Sequence, residues 1–200
     1  ILLTVAVLSV PGRVRGGFAD VYGKLCQQAE GKPVEVVALV DNKKSTVGRK
    51  RDLLLQMARG RYVSFVDDDD DVTSEYIDAI LGRIRETPDV DVVTFGCRIS
   101  FDANPDRIVW FRLGAGDHDQ SWPAESDCGP GHLSAWRTDL ARQVRYPDVT
   151  WGEDKDWSGP VNALAKTESH IHLPLYHYRY SSYATEAQSW SARDARVHPE

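Results

Sequence analysis

Residues 48–77 read GRKRDLLLQMARGRYVSFVDDDDDVTSEYI, and this stretch decides the fold. Leu53, Leu54, Met57 and Ala58 recur at helical spacing, and Gly60 closes the run, which predicts a helix ending there. Residues 62–66 form a short apolar strand that runs directly into five aspartates, 67–71. Tyr76, Ile77, Ile80, Leu81 and Ile84 then share one face of a further helix, with Thr73 as its N-cap and Pro88 beyond its end. The order helix, strand, acidic run, helix puts five carboxylates at the carboxyl end of a buried strand.

The same alternation extends outward. Residues 2–9 are aliphatic and stop at Pro11-Gly12, as a strand buried on both faces would. Phe18, Val21, Tyr22, Leu25, Cys26 and Ala29 mark a helix stopped by Gly31-Lys32-Pro33, and residues 34–40 and 90–95 supply two more strands. Strands alternating with helices imply an α/β fold with a mostly parallel central sheet, right-handed crossovers and flanking helices. Past Arg98 the pattern is less regular. Residues 99–101 and 108–111 predict paired strands around Asn104-Pro105, residues 114–130 a long loop, 138–144 a short helix, and 170–180 a strand pair around Pro174.

Two hundred residues with 42% hydrophobic content suit a single domain. A formal net charge of -6 gives no chain-wide pull toward nucleic acid or anionic lipid. Cys26, Cys97 and Cys128 are too few and too irregular for a disulfide framework, which points to a reducing compartment, the cytoplasm. The opening ILLTVAVLSV is too short for a membrane span and lacks the features of a signal peptide, so it reads as a strand.

In open α/β sheets, ligands sit beyond the carboxyl ends of the strands, where Asp41 and residues 67–71 fall. Five adjacent carboxylates repel one another, and a hard divalent ion such as Mg²⁺ or Mn²⁺ would relieve that repulsion while sharing its coordination with phosphates. The alternative is that Asp70 and Asp71 merely favour the following helix N-terminus and the rest are solvated. Lys43, Lys44, Arg49, Lys50 and Arg51 gather positive charge near a helix start, suited to a diphosphate or to a solvated face.

The series VAVLSVPGR, VVALVDN, residues 48–77 and, downstream, WGEDKDW and LYHYRY resembles family 2 glycosyltransferases of the GT-A fold, a Rossmann-like architecture. The resemblance runs from Leu3 to about Tyr180, with residues 98–129 unmatched. It implies a nucleotide-sugar-binding half (1–97), an acceptor and catalytic half (98–180) and a C-terminal tail (181–200). By this resemblance Asp41 contacts the nucleoside, while Arg51, with Lys50 beside it, opens a helix next to the donor; Asp52 stands where asparagine is usual. Asp67 and Asp69 match the outer residues of an Asp-x-Asp motif and hold the metal, Asp69 as its direct ligand, while Asp67 and Asp68 also face the donor; Asp68 or Asp70 could substitute. His177 is either a further metal ligand or structural. Glu153-Asp154 resembles the pair whose aspartate takes the proton of the acceptor hydroxyl, a role that needs a carboxylate within hydrogen-bond reach. The alternative for this pair is complementing a helix N-terminus. Ser158-Gly159-Pro160 is expected to interrupt the helix that follows.

The implied function is metal-dependent, inverting transfer of a sugar from a nucleotide-sugar, a UDP-sugar, to a hydroxyl, with Mn²⁺ or Mg²⁺ as cofactor. The acceptor is open among glycan, protein, lipid-linked sugar, small molecule and modified nucleic acid. Two rivals are nucleotidyl transfer, for which PGRVRGG is only a loose phosphate loop, and a non-catalytic, cation-dependent nucleotide or carbohydrate-binding module. Cys128 and His132 lack the spacing of a zinc site and are read as structural. Trp110, Trp122, Trp136 and Trp151 are read as core, with sugar stacking the alternative.

Overall fold

The computed structural model describes residues 1–101, 105–116 and 123–180. Trp122, the Asn104 turn and the 181–200 tail lie outside them. Strand β1 (Leu3–Ser9) is buried at every position and has parallel neighbours on both sides, β2 (Val34–Val40) and β3 (Tyr62–Asp67). Burial on both faces explains why its sequence is an unbroken apolar run rather than an alternating one. Helices α1 (Gly17–Ala29) and α2 (Val47–Met57) make the crossovers between these strands. Thr46 caps α2, its hydroxyl accepting from the Arg49 N–H at 3.1 Å.

After β3 come a two-residue strand β4 (Asp71–Val72) and helix α3 (Tyr76–Glu86). Thr73 is not the cap of α3. The helix begins three residues later, and Gln28 of α1 accepts the Ile77 N–H at 3.0 Å. The fourth long strand, β5 (Val92–Phe101), outlasts its expected span and pairs with β6 (Arg107–Phe111) in the antiparallel arrangement expected for this hairpin.

Three further sequence expectations are corrected. The loop expected over 114–130 contains β7 (Glu125–Cys128), which runs parallel to β6. Residues 168–180 form one strand, β9 (Glu168–Tyr180), not a pair turning at Pro174. Pro174 lies opposite Gly96 of β5 at a register shift, and a Cβ on Gly96 would stand 3.0 Å from the Pro174 Cα. The missing side chain lets a proline pass as a bulge instead of a turn. Finally, Pro160 lies inside a continuous helix, α5 (Glu153–Leu164). Pro160 and Asp156, whose carbonyl loses its usual donor, are both exposed, so solvent can take that carbonyl.

Strands β1, β2, β3, β5 and β9 run in one direction, which gives the mostly parallel sheet. The fourth long strand does not adjoin the third. The three-residue β8 (Ala135–Arg137) inserts between β3 and β5, antiparallel to both, and leads into the short helix α4 (Thr138–Ala141). One core face packs α1 and α3 on the sheet through Val21, Leu25, Ile77 and Ile80. The other packs α2 and α5 through Leu54, Leu55, Trp157 and Val161, with Trp136 edge-on to Trp157. Each fully buried large side chain contributes on the order of 1.5–3 kcal/mol relative to exposure. No helix among the described residues is long and apolar enough to cross a membrane.

Candidate active site

The carboxyl ends of β1, β2 and β3 bring Ser9, Asp41 and Asp67 to one edge of the sheet. Asp41 is a fixed acceptor. Its Oδ1 takes the Lys50 ammonium at 3.0 Å and its Oδ2 the Ser45 N–H at 2.9 Å. Burial alone would raise its pKa, but these donors hold it below the usual carboxylate range. Beside it a cleft of about 360 Å³ is lined by Val10, Pro11, Gly12, Arg13, Asn42 and Lys43.

The five aspartates do not face a common point. Asp67 Oδ1 accepts from Arg51 Nη2 at 2.9 Å, and its Oδ2 lies 3.4 Å from His132 Nε2. Although burial would push the Asp67 carboxyl up, Arg51 and His132 hold it well below the usual range. Asp68 accepts from Ser9 Oγ at 2.6 Å and Arg13 Nη1 at 2.7 Å. Asp70, 1% exposed, accepts from the Tyr176 hydroxyl at 2.7 Å and the Arg179 N–H at 2.9 Å. Burial, then the Asp67 charge, push its pKa up to about 8. Asp71 is paired with Lys24. Protein donors thus engage Asp67, Asp68, Asp70 and Asp71, although at Asp70 they do not offset burial and the Asp67 charge. Asp69 is different: its side chain is 35% exposed and its contact is Arg13 at 3.1 Å.

This donor set suits one kind of metal ion. Among the described residues no three His, Cys, Asp or Glu side chains gather around a common position. An ion that takes one or two protein carboxylates and completes its shell with phosphates fits Asp69, whereas an all-protein cage does not. His177 is not brought into such a cluster with Asp67 and Asp69. It pairs through its backbone with Asp71, and its Nε2 lies 2.7 Å from Ser100 Oγ.

Arg51 is almost fully buried and links two chain segments 102 residues apart, its Nε donating to Glu153 Oε1 at 3.2 Å. Its guanidinium also lies over the Phe65 ring, 5.5 Å from the centroid, and its Nη1 is buried without a protein partner. The adjacent Asp52 has a structural use: it accepts from the Tyr146 N–H at 3.4 Å and pairs with Arg145. Glu153 opens α5 and is buried, which raises its pKa. Asp154, one residue on, has a side chain 47% exposed and lies 3.8 Å from His132 Nδ1.

The structure therefore gathers Arg51, Asp67, Glu153 and Asp154, and it adds His132, Arg13 and Tyr176. The Tyr176 hydroxyl accepts the Asp67 N–H at 3.0 Å while donating to Asp70. Arg13 and Tyr176 lie within the VPGR and LYHYRY segments. For His132 the sequence offers no local signal, since its Asp67 partner is 65 residues away. Trp110 and Trp136 are buried, Trp110 with its face stacked on His172, while Trp151 is 44% exposed on the loop before Asp154.

The profile of glycosyl transferase family 2 matches residues 17–145. No curated protein sequence matches the chain. Among solved structures, S. aureus TarS 1-349 in complex with UDP-GlcNAc aligns with a TM-score of 0.65 at 14% identity, covering 95% of this chain and 62% of that one. S. aureus TarS aligns at 0.62 and 14% identity, over 90% of this chain and 37% of that one. TarS 1-349 in complex with UDP gives 0.62 and 14%, over 90% and 61%. The chain spans less than two thirds of the TarS chains it matches, and at this identity the likeness is one of fold.

Proposed function

The chain belongs to glycosyl transferase family 2, and from that premise we propose that it transfers a sugar from a UDP-sugar to an acceptor hydroxyl with inversion at the anomeric carbon. The observation that carries this reading is the exposed Asp154 carboxylate, set 3.8 Å from a histidine whose other ring nitrogen touches Asp67. It puts a proton acceptor next to the strand ends where a nucleotide diphosphate would lie.

The roles follow from the surroundings. The nucleoside occupies the cleft between Val10–Arg13 and Asn42–Lys43, against Asp41. That TarS is crystallised with UDP-GlcNAc and with UDP supports a uridine donor. Asp69 would hold Mn²⁺ or Mg²⁺, with Asp67 and Asp68 behind it; when bound, the cation neutralises charge on the departing diphosphate. Asp154 accepts the proton of the acceptor hydroxyl as its oxygen bonds to the anomeric carbon, and the bond from that carbon to the diphosphate breaks on the opposite side. The products are the glycoside, UDP and a proton left on Asp154. No second carboxylate is needed as nucleophile. Three free cysteines support a reducing, cytoplasmic setting.

A panel of UDP- and GDP-sugars with Mn²⁺, read by release of nucleotide diphosphate, tests this reading. UDP release that Asp154→Asn slows at least about a hundred-fold, with UDP binding retained, is the expected result. Release of pyrophosphate from a nucleoside triphosphate would make the protein a nucleotidyltransferase. Donor binding without any turnover would make it a binding module.

A further inference from the structure

His132 belongs to a segment held from two sides. The Phe65 N–H donates to its carbonyl at 3.2 Å, and Ser64 Oγ donates to the Leu133 carbonyl at 2.7 Å, both from β3. From α5, the helix that carries Asp154, Asn162 Nδ2 donates to the Pro130 carbonyl at 2.8 Å. The Trp136 indole donates to the Gly131 carbonyl at 2.9 Å, and the Phe65 ring meets the imidazole edge-on at 6.5 Å. The His132 side chain is 10% exposed, so its position is set by packing and not by solvent. Its two nitrogens address different halves of the site: Nε2 the donor-side Asp67 at 3.4 Å, Nδ1 the acceptor-side Asp154 at 3.8 Å.

We infer that His132 is a positioning residue that fixes the Asp154 carboxylate relative to Asp67, and so sets where the acceptor hydroxyl is deprotonated relative to the donor diphosphate. Asp154 is half in solvent and at the start of a helix, so its carboxylate has rotational freedom that the rigid imidazole limits on the inner side. Asp67 is itself pinned by Arg51 at 2.9 Å, and Arg51 by Glu153 at 3.2 Å, next to Asp154 in the chain. Glu153, Arg51, Asp67 and His132 are thereby linked in series, and the last step, from His132 Nδ1 to Asp154 Oδ2, is an ion-pair distance of 3.8 Å. A base held in this way needs no reorientation when the acceptor arrives, which is where oriented groups gain most of their rate.

The inference rests on Asp154 being the base, and its test separates the two ideas. The probe is UDP release, with water as acceptor, from the UDP-sugar that turns over fastest with Mn²⁺. His132→Ala is expected to slow turnover about tenfold or more while donor KM and UDP affinity stay within about twofold. His132→Asn, whose amide can reach the Nδ1 position, is expected to recover part of the loss. Added to Asp154→Asn, the His132→Ala change should cost almost nothing, because a residue that acts through Asp154 has nothing left to position. An equal loss in both backgrounds, or a loss of donor affinity that accounts for the whole effect, overturns the inference. Wild-type turnover by Asp154→Asn alone would instead remove the base assignment. A second measurement needs no turnover: nitrogen-15 spectra of the imidazole. Asp67→Asn should move the His132 Nε2 resonance and Asp154→Asn its Nδ1 resonance. An Nδ1 resonance indifferent to Asp154→Asn overturns the inference as well.

Discussion

Arg51 Nη2 lies 2.9 Å from Asp67 Oδ1, so the first aspartate of the acidic run is neutralised by α2. The same guanidinium reaches Glu153 at 3.2 Å, tying β3 to α5, the helix that carries Asp154. All three groups are largely out of water, and removing one partner from such a network typically costs about 3–5 kcal/mol, because the others keep an uncompensated charge. Arg51→Ala should therefore lower thermal stability by several degrees, as well as weakening donor binding through Asp67. Arg51→Lys should not restore it, since one ammonium cannot span both carboxylates as a planar fork does. Thermal unfolding of both variants checks this, and wild-type stability in Arg51→Ala would contradict the network.

Gly48 joins α2 to the loop ahead of α5. Its N–H donates to the Val149 carbonyl at 2.9 Å, and an added Cβ would stand 1.9 Å from the Pro147 carbonyl oxygen and 3.1 Å from the Glu153 Cβ. Overpacking of this kind costs about 1–3 kcal/mol, and here the obstructing atom is backbone, which cannot rotate away. Gly48→Ala is expected to destabilise the protein and, by displacing Glu153 and Asp154, to slow UDP release. Gly82→Ala in α3, where nothing lies within 4 Å of the new Cβ, should be neutral or stabilising by about 0.4–1 kcal/mol. Urea titrations of the two variants separate a local clash from a general intolerance of alanine.

Sequence periodicity reveals some of these elements and not others. Strands β1 and β3 are legible because each buries an apolar run, β1 at all seven positions, whereas β2 lies at the sheet edge, half-buried or exposed throughout, and is legible from its β-branched composition. The short β8 was not, since three residues carry no period and Trp136 reads equally well as core in any element. Strand β7, ESDC, has no apolar alternation because it pairs with only β6 along one edge. Within the site, Asp41, Asp67 and Asp154 stand out as carboxylates at strand ends or a helix start. His132 does not, because its meaning lies in two carboxylates from distant segments that only the folded chain brings to its ring.

Asp91 supplies a pH prediction away from the site. Its Oδ2 accepts the N–H groups of Lys166 and Thr167 at 2.7 and 3.0 Å, and Arg137 pairs with Oδ1 at 2.9 Å. Burial alone would raise its pKa, but these donors lower it. A carboxyl whose folded value is depressed contributes stability above its unfolded value, about 3.9, and loses it as the pH falls through the folded value. Stability should accordingly drop below about pH 4, and Asp91→Asn should be less stable at pH 7 yet lose less on acidification. Urea midpoints between pH 3 and 7 test this; parallel curves for the two proteins would exclude Asp91 as a contributor.

Within the acidic run, the carboxylates differ in what they are free to do. Asp71 is engaged by the Lys24 ammonium and also accepts its neighbour Val72 N–H at 2.8 Å. Asp68 and Asp70 are buried and hydrogen-bonded from two sides. Asp69, paired with Arg13, keeps a partly exposed carboxyl. A divalent ion that draws most of its ligands from a diphosphate needs only one such oxygen. Calorimetry of UDP binding with and without Mn²⁺ should therefore show tighter binding with the metal in the wild type and in Asp71→Ala, and no metal effect in Asp69→Ala. Asp71→Ala should instead lose some stability, because Lys24 keeps only the Val72 carbonyl as a partner. A metal effect that survives in Asp69→Ala but disappears in Asp67→Ala would move the cation to the inner carboxylate, and Arg51 would then have to give up its hold on Asp67 when the donor binds.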